Sequence, residues 1–259
     1  MGNLSNMGRI FYGVGMTVMG LLTIYYHDFP YMLIPPKHSG IPGITAIAYI
    51  FGAFLVLSGV SIVIEKKTRP ISLLLGTVLL LIFCFYFIPY QLFVSKNNMH
   101  FGDWENAAKE LTLCGGAFVI AGCFLAKDES PLIKLLGKLI PYGSIIYALT
   151  IVSYGIDHFL YAVEAADYVP SWVPYHLFWM YVGGIGLFAS GIAIIINVKL
   201  RLAATLLGAM TFTWFVILHV PRVVVSSQLY LGSEVTSAVL ALAYSGIAFV
   251  IAGTAIKKA

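Results

Sequence analysis

Apolar segments of about 20 residues recur along this chain, and each is long enough to cross a hydrocarbon core roughly 30 Å thick. They lie near residues 8–26, 43–64, 70–94, 104–126, 142–163, 174–197, 201–224 and 232–256, with short polar breaks between them. The chain is 60% hydrophobic and 10% charged, with a mean hydropathy of +0.92, whereas a soluble domain carries roughly 25% charge. No stretch is left over for a soluble domain. The first segment runs on through Tyr26 without a small-residue cleavage site and reads as a retained helix. The expected fold is therefore an all-α membrane protein of about eight transmembrane helices.

The charges sort by side. Arg9, Lys66, Lys67, Arg69, Lys127, Lys134, Lys138, Lys199, Arg201, Lys257 and Lys258 fall at one end of the helices, against Lys37, Lys96, Lys109 and Arg222 at the other. The positive-inside rule then places both termini in the cytoplasm, in a membrane such as a bacterial inner membrane. The net charge of +4 includes no basic run beyond Lys66, Lys67 and Arg69, which is no basis for a nucleic-acid partner. Cys84, Cys114 and Cys123 sit in apolar segments with no C-x-x-C pair, so they read as small buried residues.

An internal repeat organises the chain. AFVIAG occurs at residues 117–122 and again at 248–253. Pro42, Tyr49, Gly52, Ser58, Gly59, Gly76 and Pro89 recur as Pro174, Tyr181, Gly184, Ser190, Gly191, Gly208 and Pro221 at a constant offset of 132. The expected units are residues 1–126, a connector at 127–138, and residues 139–259. Four helices per unit is an even number, so both units enter from the same side. They are then related by a pseudo-two-fold axis along the membrane normal. The shared glycines read as close helix contacts.

Ionisable groups at membrane depth cost roughly 2.5 to 3.5 kcal/mol on insertion scales and need a partner or a purpose. All six histidines and most acidic residues lie toward the end opposite the basic turns. Asp157 and His158 near the end of the fifth segment, His219 and Arg222 at i, i+3 in the seventh, and Lys109 and Glu110 in the fourth form one layer. His27, in the first, is expected where the repeat places His158. These residues are expected to converge on one cavity. His38, His100 and His176 lie at the interface, where a headgroup region solvates imidazole cheaply. Trp104, Trp172 and Trp179 suit an aromatic belt. No i, i+4 ligand pair is present, so neither a metal site nor haem is expected.

Three stretches carry a resemblance: DHFLYAVEAADYVPSWVPYHLFWMYVGGIGLFASG at 157–191, the segment from Arg201 ending in HVPR at 219–222, and DWENAAKELTLCGGAF at 103–118. Together they resemble the DoxX-like membrane proteins over nearly the whole chain, as two copies of a four-helix unit. The resemblance marks His158, Pro174, His176, Trp179, His219, Pro221, Arg222, Trp104, Asn106, Lys109 and Glu110 as recurring polar positions. The first copy departs from it, with Phe87 and Tyr90 in place of His219 and Arg222, so a site built on that pair is single. Relatives are linked to redox systems, which is an argument by association. The expected function is binding of a quinone or other small amphipathic ligand in a polar cavity, by Asp157, His158, His176, His219, Arg222, Lys109, Glu110 and His27. The alternative is a non-catalytic accessory subunit that docks a membrane or periplasmic protein. A channel or transporter ranks behind both. The sequence holds no nucleotide loop and no nucleophile triad.

Overall fold

The computed structural model describes residues 2–30, 33–34, 43–127, 129–229 and 231–255. His38, Lys37, Pro42, Lys257 and Lys258 lie outside the described residues. No strand occurs among the described residues, and eight long helices follow one another. They are α1 (Asn3–Tyr26), α2 (Ile44–Val63), α3 (Thr68–Phe93), α4 (Phe101–Ala121), α5 (Pro131–Leu160), α6 (His176–Ile195), α7 (Leu200–Val225) and α8 (Leu231–Thr254).

Seven of them are long and apolar enough to cross a membrane, which is the build of a multi-pass membrane protein. The exception is α4. It has 21 residues, but Asp103, Glu105, Lys109 and Glu110 crowd its first half.

The helices α1, α4, α5 and α8 form the centre, and α2, α3, α6 and α7 flank them. α1 packs on α2 and α8, while α5 packs on α6 and α4. In the same way α3 packs on α4, and α7 on α8. This set of neighbours is unchanged when every helix is advanced by four. The central position of α8 shows in its burial, since an unbroken run from Ala238 to Gly253 is buried.

Local features recur in the same way. α3 widens into a π-helical turn at Phe83–Phe87, and α7 does so at Phe215–His219. Each turn precedes a proline, Pro89 or Pro221. A proline has no N–H for the carbonyl four residues back, at Phe85 or Ile217, and its ring crowds that carbonyl; widening the helix relieves both. Left-handed backbone at Gly43, Glu65 and Lys67 is matched at Tyr175, Asn197 and Lys199.

Glycines set the closest helix contacts. A Cβ on Gly20 would meet the backbone of Gly52 and Val56, and a Cβ on Gly155 would meet Phe188 and the carbonyl of Gly184. Gly8 lies against the Gly246 carbonyl as Gly143 lies against that of Gly115. Polar bonds follow suit: Cys114 Sγ donates to the Gly76 carbonyl at 3.2 Å, and Ser245 Oγ to the Gly208 carbonyl at 2.8 Å. Small residues allow this approach where lipid gives no hydrophobic drive between helices.

Candidate functional site

Two groups of polar side chains and one isolated carboxyl stand out within the helices toward the end opposite the basic turns, besides the His27–Tyr49 and His100–Tyr161 contacts. The first group joins α4 to α5. The Glu105 and Asp157 carboxyls lie near each other, with Lys109 as the nearby cation, and Asp157 Oδ1 is buried with no hydrogen-bond partner among the described residues. Lys109 Nζ also donates to Asn106 Oδ1 at 2.9 Å. Glu105 and Lys109 stand at i, i+4, so one helical turn aims both toward α5. His158 follows Asp157; its Nδ1 lies 2.8 Å from the Tyr154 carbonyl and its ring stacks on Trp214 of α7 at 5.7 Å.

The second group joins α7 to α8. Arg222 grips Glu234 by two hydrogen bonds, Nε to Oε2 at 2.9 Å and Nη2 to Oε1 at 2.5 Å. Its guanidinium also lies 4.4 Å from the centre of the Tyr168 ring. His219, one turn back, keeps a buried Nδ1 with no hydrogen-bond partner among the described residues.

Glu110 stands apart. It is fully buried, and neither carboxyl oxygen has a hydrogen-bond partner among the described residues.

The expected convergence is thus partial. Asp157, His158 and Lys109 meet, whereas His219 and Arg222 form a separate cluster. His176 is half-buried at the start of α6. His27 is exposed, bonded through Nδ1 to the Tyr49 hydroxyl at 2.7 Å. The matched glycines Gly8 with Gly143 and Gly20 with Gly155 set an offset of 135 for α1, not 132. On that register the counterpart of His158 is Thr23, which is buried and bonded to its own helix at Met19.

Residues outside the expected set complete the geometry. Glu105, Glu234, Tyr168 and Trp214 are all contact partners of expected ones. Deeper in the bundle, Thr112 Oγ1 donates to Thr150 Oγ1 at 2.8 Å and lies 3.1 Å from the Tyr154 hydroxyl. Tyr154 Oη lies 3.2 Å from Tyr244 Oη.

One cavity of about 240 Å³ adjoins the first group, between α3, α4 and α5. Phe83, Phe101 and Trp104 form its aromatic wall, and Glu105, Thr150 and Ser153 supply polar atoms. No group of three or more metal-ligating side chains occurs among the described residues. The chain matches no known family model, no curated protein and no solved structure.

Proposed function

We propose that this protein binds the ring of a small amphipathic molecule, of the quinone type, in the cavity between α3, α4 and α5. The observation that carries this reading is the composition of the cavity lining. Three aromatic residues line the cavity together with one carboxyl, Glu105, which lies near Asp157 and Lys109. Aromatic walls hold a flat ring, and a carboxyl can hydrogen-bond a hydroxyl or carbonyl carried on that ring. A volume of about 240 Å³ lies below the usual range of roughly 300 to 1,000 Å³ for whole ligands. It suits a ring whose tail remains in lipid.

The same proposal takes the chain as eight crossings in two parallel four-helix units, of the kind the DoxX resemblance implies, with the basic turns cytoplasmic. The neighbour pattern that survives advancing each helix by four, the paired π turns and the paired left-handed residues support the two units. Arg9 pairs with Glu65 and Arg69 with Glu129 at helix ends where the basic residues gather, in keeping with a common basic side.

The test is photolabelling of the purified protein by a short-tailed azidoquinone. Label should fall on Phe101, Trp104 and Leu149, and Ala108→Phe, which fills the cavity, should abolish it. Label spread over the lipid-facing surface, unchanged by Ala108→Phe, would rule the site out. A second reading, docking of a partner protein, is favoured by the exposed rings of Trp172 (69%) and Tyr175 (81%) before α6. A stoichiometric partner in native pull-down, lost on Trp172→Ala, would support it.

A further inference from the structure

The turns that enter α3 and α7 share a backbone but differ in charge. Glu65 and Lys67 have φ of 59° and 52°, and Asn197 and Lys199 have 57° and 47°. In the first turn both arginines have carboxylate partners. Arg9, only 4% exposed, donates to the carbonyls of Ile62 and Val63 and pairs with Glu65 at 2.8 Å. Arg69 Nε pairs with Glu129 at 2.6 Å, while its Nη1 donates to the carbonyls of Ala121 and Phe124 at the end of α4.

The second turn keeps only part of this arrangement. Ser144 stands where the first unit has Arg9, and Asn197 where it has Glu65, so both members of that ion pair are neutral. Arg201 stands where the first unit has Arg69. No carboxylate among the described residues pairs with it. Beside it, among the described residues, lies an open surface cavity of about 600 Å³ that also borders Ala255. Asn197, Lys199, Arg201 and Thr205 line it together with Leu200 and Leu202.

We infer that this cavity binds the phosphate of an anionic phospholipid from the adjoining leaflet. The Arg69–Glu129 pair shows what a guanidinium can do at such a turn: it holds an oxyanion beside a helix end. A phosphate diester offers the same paired oxygens, and guanidinium recognises either anion by two parallel bonds. Lys199 adds a second positive charge. The apolar rim favours a lipid over a free anion, since Leu202 (57% exposed) leaves a surface for the glycerol and upper acyl chain. Both turns sit where helices end, which in a spanning bundle is headgroup depth.

The experiment is native mass spectrometry of the full chain after exchange with equal amounts of phosphatidylglycerol and phosphatidylcholine. Wild type should retain phosphatidylglycerol preferentially. Arg201→Gln should lower that retention by roughly tenfold, the loss expected for one charge-assisted contact. Asn197→Glu should do the same by placing a carboxylate where the first turn has Glu65. It covers the case in which Arg201→Gln does not fold. Millimolar inorganic phosphate should leave the lipid bound. Equal retention of the two lipids, undiminished retention in both variants, or displacement by phosphate would each overturn the assignment, the last in favour of a free anion.

Discussion

Tyr154 and Tyr244 meet hydroxyl to hydroxyl at 3.2 Å, with their rings stacked 5.8 Å apart, and so tie α5 to α8 across the centre of the bundle. The tie belongs to a network that includes Thr112 and Thr150 and reaches the Lys109 carbonyl, 3.3 Å from Tyr244 Oη. Polar groups buried this way are inexpensive only while each is bonded.

Two bonds beside this network are counterparts on the two-unit reading and should then behave as a pair. Tyr12 Oη donates to the Leu113 carbonyl at 2.8 Å, and Tyr147 Oη to the Tyr244 carbonyl at 2.9 Å. Tyr12→Phe and Tyr147→Phe should each cost about 1 kcal/mol, read as equal drops in thermal unfolding in detergent. A loss confined to one variant would count against the two-unit reading.

The glycine contacts make a stronger version of the same test. Gly20→Val and Gly155→Val place a side chain into facing backbone, and overpacking of this kind costs about 1 to 3 kcal/mol. Cysteine crosslinking between α1 and α2 should fail in the first variant only, and between α5 and α6 in the second only. If either variant leaves its own pair crosslinked as in wild type, the close contact is not what holds that pair.

The helices and their breaks were legible because segment length and charge placement are local signals. The 132-residue spacing seen in the sequence also separates the left-handed residues and the π turns. What escaped was the change to 135 in α1, since a glycine match such as Gly20 with Gly155 means little until the facing backbone is known. The site was read from sequence neighbours, which joined His219 to Arg222. The partner of Arg222 is Glu234, on the next helix. Glu105 drew no role from the sequence because Asp157, its neighbour in the fold, lies on a different helix. Contacts between helices have no period in the sequence to reveal them.

The Arg222–Glu234 pair is suited to a double-mutant cycle. Its side chains are 31% and 16% exposed, so solvent screens it in part. Arg222→Gln or Glu234→Gln alone should cost about 2 kcal/mol by leaving a charge without its partner. The double variant should recover about half of that, which thermal unfolding of the four proteins would measure. Strict additivity of the two losses would mean the pair contributes no coupling.

Glu110 supplies the last prediction. Its counterpart in α8, at the AFVIAG offset of 131, is Ala241, and both positions are buried. Placing an acidic residue there has a cost that Ala241 avoids, since the two carboxyl oxygens find no hydrogen-bond partner among the described residues. A carboxyl in that position destabilises the fold by about 2 kcal/mol. Glu110→Ala should therefore raise the unfolding temperature in detergent, and Ala241→Glu should lower it. Glu110→Gln should fall between, because an amide keeps the polar atoms and loses only the ionisable group. A residue kept at such a cost serves something other than stability, so the stabilised Glu110→Ala protein should also lose ligand labelling or its cellular phenotype. If Glu110→Ala instead unfolds more easily than wild type, the carboxyl has a partner that stabilises it, and its retention needs no functional explanation.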